Sequence, residues 1–141
     1  MNYYEKAVQT LKNGNYTCVI CGENVEYTSV MRGVQPLLTP YEEGRRFAGC
    51  AAADRVVGKA AAFLYVLLGV ERVYAGIISK PAKEVFEAHG VELSFDTLTE
   101  LIENRTKTGL CPMESAVMDI EDPSEAPERI KAALAKLKSG K

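Results

Sequence analysis

The sequence predicts a single α/β domain, a three-layer α/β/α sandwich around a mixed sheet, and three observations carry that prediction. "YTCVICGENVEYTSVM" (16–31) reads as two β-rich runs joined by a tight turn at Gly22-Glu23-Asn24, a hairpin signal. "VERVYAGII" (70–78) is a nearly continuous apolar run with β-branched residues, as expected of a strand covered on both faces. An amphipathic helix and the alternating run "VELSFD" (91–96) follow it, completing a strand–helix–strand crossover beside the hairpin.

Taken in order, Ala7, Val8 and Leu11 recur at helical spacing, so residues 3–12 form an opening helix that stops at Asn13-Gly14. After the hairpin, "RGVQPLLTPYEEGRRF" (32–47) holds two prolines and two glycines and reads as a loop or irregular edge. "GCAAADRVVGKAAAFLYVLLG" (49–69) reads as one long helix. Ser79 is placed to cap the helix after the 70–78 strand, with Pro81 tolerated in its first turn and Gly90 ending it. Asp96 is placed to cap a helix over "TLTELIEN", and "CPMESAVM" starts a further short one. The chain closes on an amphipathic helix, about 123–138, carrying Ile130, Ala133, Leu134 and Leu137. No repeat or linker divides residues 1–141, so one domain is expected.

Composition limits the function classes. Seventeen basic residues stand against nineteen acidic ones, a net charge of −2, which gives no electrostatic footprint for nucleic acid. The N-terminus lacks the basic-then-apolar order of a secretory signal, and no run of about eighteen apolar residues occurs. A cytoplasmic protein off the membrane is expected. Its cysteines, Cys18, Cys21, Cys50 and Cys111, are then reduced thiols or metal ligands rather than disulfides.

Four places carry candidate chemistry. On the helix expected at 49–69, Cys50, Asp54, Gly58, Ala61 and Tyr65 share one stripe, with Arg55 and Lys59 on a second edge. The charges fit either a solvated shoulder or the wall of a pocket. In "GLCPMES", Pro112 and Glu114 put Cys111 at a helix N-cap, where the unpaired backbone N–H groups favour a thiolate. Cys111 is therefore a candidate nucleophile, with Asp54 or Glu114 managing protons; the plainer alternative is a small residue that merely caps. His89, the one histidine, stands at a helix C-terminus and suits the helix dipole better than catalysis. "CVICG" resembles half a zinc ribbon, but no second closely spaced pair exists, and Cys18 and Cys21 point to opposite faces of a strand. Asn104, Arg105 and Thr106 form a polar loop suited to phosphate or carboxylate groups, or simply to water.

The blocks "ADRVVGKAAAFLYVLLGVERVYAGIISKPAKEVFEAHGVELSFD" and "NRTKTGLCPMESAV" resemble a small, uncharacterised prokaryotic family known only as a domain of unknown function, over roughly residues 15–120. The resemblance implies a cytidine-deaminase-like fold. True deaminases of that fold place a His/Cys-Ala-Glu motif and a Pro-Cys-x-x-Cys motif at two helix starts, which together bind zinc and shuttle protons. Against them this chain sets Gly49-Cys50-Ala51-Ala52-Ala53-Asp54 and Pro81-Ala82-Lys83-Glu84-Val85, so zinc-dependent deamination is expected to be absent and no cofactor is expected. The expected function is binding of a small molecule, a nucleotide or another phosphate-bearing compound, in the cleft that remains. Asp54, Lys59 and Ser79 would line it, Asn104, Arg105, Thr106 and Cys111 would come from the later segment, and Cys50 and Glu114 complete the set. A thiol-dependent enzyme using Cys111, or a non-catalytic oligomeric interaction protein, are the alternatives, and a homo-oligomer is expected.

Overall fold

A computed structural model describes residues 2–31, 33–102 and 111–140. Helix α1 (Tyr3–Asn13) opens with a capping box in which the Glu5 N–H donates to Asn2 Oδ1 at 2.7 Å and the Asn2 N–H returns to Glu5 Oε1 at 3.5 Å. Strands β1 (Cys18–Gly22) and β2 (Val25–Ser29) form the expected hairpin, with Asn24 in the left-handed region at its turn (φ 60°).

The stretch expected to be a loop contains helix α2 (Gln35–Glu42). Two prolines fit because each missing N–H is accounted for. Pro36 lies in the first turn, where no intrahelical partner exists. Pro40 leaves the Pro36 carbonyl without its i+4 donor, and the Tyr27 hydroxyl of β2 donates to that oxygen at 2.6 Å.

The single helix expected over 49–69 is two elements, strand β3 (Ala51–Val57) and helix α3 (Lys59–Leu68), divided at Gly58. Alanine favours helices in isolation, but here tertiary packing overrides that preference. Strand β3 is central, hydrogen-bonded to β1 on one side and strand β4 (Arg72–Ser79) on the other. Helices press on both its faces, and only small side chains leave room for that. Ala53 meets Ala7 and Leu11 of α1, whereas Ala52 joins the larger core on the other face.

Ser79 caps helix α4 (Lys80–Ala88) as expected, accepting from the Ala82 N–H at 3.2 Å, and His89 and Gly90 end the helix. Strand β5 (Glu92–Thr99) outruns its expected end, so no helix occupies 97–102 and Asp96 caps nothing; its carboxylate instead accepts the Tyr74 hydroxyl. Helices α5 (Pro112–Val117) and α6 (Ala126–Gly140) complete the chain, joined by a 3-10 turn at Pro123–Glu125. Ile130 of α6 is fully buried, whereas Leu137, expected on the same apolar face, is exposed.

The sheet is mixed, in the order β2-β1-β3-β4-β5, with β1 antiparallel to both neighbours and β3, β4 and β5 parallel. Helix α1 covers Val19, Cys21, Ala53 and Tyr74 on one face. On the other, Phe63, Leu64, Leu68, Phe86 and Ile130 close over the sheet, each contributing roughly 1.5–3 kcal/mol by leaving water. Both crossover helices, α3 and α4, lie on that second face and pack against each other, as right-handed connections require. Among the described residues, no helix is long and apolar enough to cross a membrane.

Candidate functional site

Strand β1 pairs with β3 only as far as Cys18 opposite Asp54, while β3 runs on to Val57. The end of β3 therefore has no β1 neighbour, and a cleft of about 410 Å³ opens there, beside the start of α3. Met31, Val34 and Pro36 from the segment around α2, and Ile102, Cys111 and Met113 from later in the chain, line it. Crevices at the carboxyl ends of parallel strands are where α/β sheets hold ligands.

Asp54 is the half-buried acid of this cleft. The Tyr65 hydroxyl donates to its Oδ2 at 2.7 Å, and the Val56 N–H reaches Oδ1 at 3.3 Å. Cys18 Sγ lies 3.3 Å from the same hydroxyl. Because the one tyrosine proton goes to Asp54, the thiol must be the donor in that contact, giving an ordered chain from Cys18 through Tyr65 to Asp54. Burial, with the Asp54 charge adding to it, pushes the Cys18 thiol far above its ordinary range, which keeps its proton in place. Burial also pushes the Asp54 carboxyl up to about 6, against the lowering effect of its hydrogen bonds from Tyr65 and the backbone. Among the described residues Asp54 enters no ion pair.

Glu114 of α5 is the second carboxylate, and it is only 2% exposed. Its Oε1 accepts the Lys59 N–H at 2.8 Å and its Oε2 the Ala60 N–H at 3.1 Å, so it caps α3 from another element. Burial raises its pKa, and the two amides oppose that rise. A Cβ at position 58 would lie 2.4 Å from Oε2, so only glycine admits this carboxylate. The expected N-cap residues Ser, Thr, Asp and Asn are absent from the start of α3 because Glu114 does their work.

The other expected site residues divide. Cys111 borders the cleft with Asp54 and Glu114, half-buried at the start of α5, and its side chain makes no capping bond. Lys59 does not line the cleft: its Nζ donates to the Met118 carbonyl at 3.0 Å and lies over the Phe63 ring. Ser79 is fully buried and engaged in capping α4. Cys50 precedes β3, at the strand end remote from Asp54, and borders a separate depression with Glu71 and Glu92. Asn104, Arg105 and Thr106 lie outside the described residues. Gly58 and Ala61, read as members of a helical stripe with Asp54, do line the cleft with it, although Asp54 stands on a strand. The site residues that sequence reasoning missed in role are Cys18 and Tyr65, whose signal was a polar-capable pair on otherwise apolar elements. Among the described residues, no group of three or more His, Cys, Asp or Glu is placed to hold a metal ion.

No curated protein matches the chain. In three dimensions it is similar to a DUF1893-family protein from Thermotoga maritima known from a crystal structure, with a TM-score of 0.83 and 24% identity over 96% of this chain and 90% of that one. That likeness speaks for the fold. The sequence pattern of the same family, described as a domain of unknown function, matches residues 6–134, and on that match the chain belongs to the DUF1893 family.

Proposed function

We propose that this protein binds a small molecule of the nucleotide class in the Asp54 cleft and does not deaminate it hydrolytically. The observation that carries the reading is Asp54 itself, an acid without an ionic partner among the described residues, standing in a mostly apolar cleft at the end of a parallel strand. Its volume of about 410 Å³ suits a ligand of nucleoside size.

We further read the scaffold as cytidine-deaminase-like, three layers with helices on both faces of a 2-1-3-4-5 sheet. On that reading the two metal-bearing helix starts fall at Gly58-Lys59-Ala60 and at Ser79 to Ala82, not at Cys50. The residues there do not fit zinc. Glycine, alanine and proline offer no side-chain donor, Lys59 is a cation turned to Met118, Ser79 is spent on its own helix, and Glu114 is already bonded to two amides.

Calorimetry and thermal-shift measurements against nucleobases, nucleosides and nucleotides test the reading, alongside metal analysis of the purified protein. Binding of at least one compound, weakened by Asp54→Asn, is the expected result. Silence across the panel, stoichiometric zinc, or ammonia released from a cytosine or adenine compound would overturn it. A second reading, a thiol-dependent enzyme, draws on Cys111 bordering the same cleft as Asp54. Alkylation of the four thiols followed against pH tests it, since a nucleophile would stand out as one fast site.

A further inference from the structure

We propose that the cleft reads the N–H-bearing head of its ligand through Asp54, accepting an amidine, a guanidine or an amino-substituted ring, and receives no phosphate group. The inference rests on the reading above that the cleft holds a small molecule, and it names which end of that molecule enters.

Three observations carry it. The first concerns anions. The start of α3 is the position in the cleft best suited to an oxyanion, with backbone N–H groups and the positive end of a ten-residue helix. Glu114 already occupies it, with one carboxylate oxygen on each of the first two amides and with no space left at Gly58. A phosphate arriving there would meet a carboxylate in place of free donors.

The second concerns cations. Arg55 is the one basic residue among the described residues bordering the cleft, and its guanidinium is turned to α1 and the turn that follows. Its Nε donates to the Tyr16 carbonyl at 2.7 Å, and its Nη2 to the carbonyls of Leu11 at 2.7 Å and Gly14 at 3.0 Å. These carbonyls close the C-terminal end of α1, where a cation is favoured and hard to withdraw. The described lining thus presents two carboxylates and apolar side chains, and its one guanidinium is already engaged by three carbonyls.

The third concerns Asp54. An ionised carboxylate accepts about four hydrogen bonds, and among the described residues Oδ2 has one good donor and Oδ1 one long one. The Cys18–Tyr65 chain fixes the carboxyl from behind, leaving acceptor capacity for a ligand. Two adjacent N–H donors on a flat group are the complement of such a carboxylate. The apolar side chains of Met31, Val34 and Met113 in the same lining suit the faces of a ring.

The test is calorimetry on the full chain with matched pairs: benzamidine against benzamide, guanosine against inosine, each nucleoside against its 5′-monophosphate, and inorganic phosphate alone. The donor-rich member of the first two pairs is expected to bind at least tenfold more tightly, the nucleoside within about threefold of its monophosphate, and inorganic phosphate neither to bind nor to compete. Asp54→Asn should erase the preference within the first two pairs, with its melting curve confirming that it is folded. Binding of inorganic phosphate, a monophosphate preferred by tenfold or more, or equal binding within the first two pairs overturns the inference while leaving the small-molecule cleft standing. These arms need only the unmodified chain. If no compound in the set binds, the small-molecule reading fails, and this inference fails with it.

Discussion

Glu114 and Gly58 share one space: the Glu114 carboxylate lies where a Cβ at position 58 would be, 2.4 Å from Oε2, and from there it holds the first two amides of α3. Two elements far apart in sequence, α3 and α5, are locked by that absence of a side chain. Gly58→Ala is therefore expected to destabilise, because the Cβ must push aside a buried carboxylate that two amides hold in place, and because alanine is the poorer N-cap. Glu114→Ala should cost about 2–3 kcal/mol, since it leaves two amides without partners in a dry site. Urea unfolding of both variants checks this, and the double variant should fall well short of the sum because both changes break the same contact.

Asp54 sets a pH dependence whose sign follows from its position. Its carboxyl titrates near 6 in the folded protein against an ordinary 3.8, so the folded state binds this proton more tightly than the unfolded chain does. The stabilisation is complete below about pH 4 and is lost as pH rises through 6. Tyr65 of α3 and Cys18 of β1 face the group, both protonated throughout this range, and Arg55 is turned away. Asp54→Asn keeps an acceptor for the Tyr65 hydroxyl and removes the charge. It should raise stability by roughly 1–2 kcal/mol at pH 8, a value discounted for partial exposure, and change it little at pH 4. Melting temperatures of the two proteins across that range should converge towards acid.

Tyr65→Phe cuts the chain at its middle link. Asp54 Oδ2 loses its side-chain donor from Tyr65, and the buried Cys18 thiol loses its acceptor. A loss of about 1–2 kcal/mol is expected, together with a further upward shift of the Asp54 titration, because the Tyr65 hydrogen bond now holds that value down. Carbon-13 titration of the aspartate carboxyls would show the shift; an unmoved titration would mean that the hydroxyl does not reach the carboxylate in solution.

The sequence made most of the fold legible where local pattern and tertiary role agreed. The hairpin, α1, β4 and the Ser79 cap all appear at their expected places because alternation, helical spacing and capping chemistry are local properties. It misled at Ala51–Val57, where three alanines read as helix. What makes them strand is packing from α1 on one face and from the larger core on the other, neither visible in a window of seven residues. The site followed the same division. Asp54, Cys111 and Glu114 were identifiable by residue type, but the cap that Glu114 forms spans 55 residues of chain. Sequence spacing alone assigns that carboxylate no partner. Lys59 was drawn to the cleft by its charge, and the Met118 carbonyl, equally remote in sequence, takes it elsewhere.

Helix α2 shows the same long-range compensation in a form that can be measured. Pro40 withholds the amide that would pair with the Pro36 carbonyl, and Tyr27 supplies the donor instead. Tyr27→Phe should then cost about 1 kcal/mol by leaving that carbonyl without a donor. Pro40→Ala restores a backbone N–H within reach of the same oxygen and relieves the ring clash of an internal proline. The cost of Tyr27→Phe should therefore shrink in the Pro40→Ala background, a coupling of about 0.5–1 kcal/mol in a double-mutant cycle. Strict additivity would mean that the Pro36 carbonyl finds water in the native protein, and that α2 tolerates its second proline without help from β2.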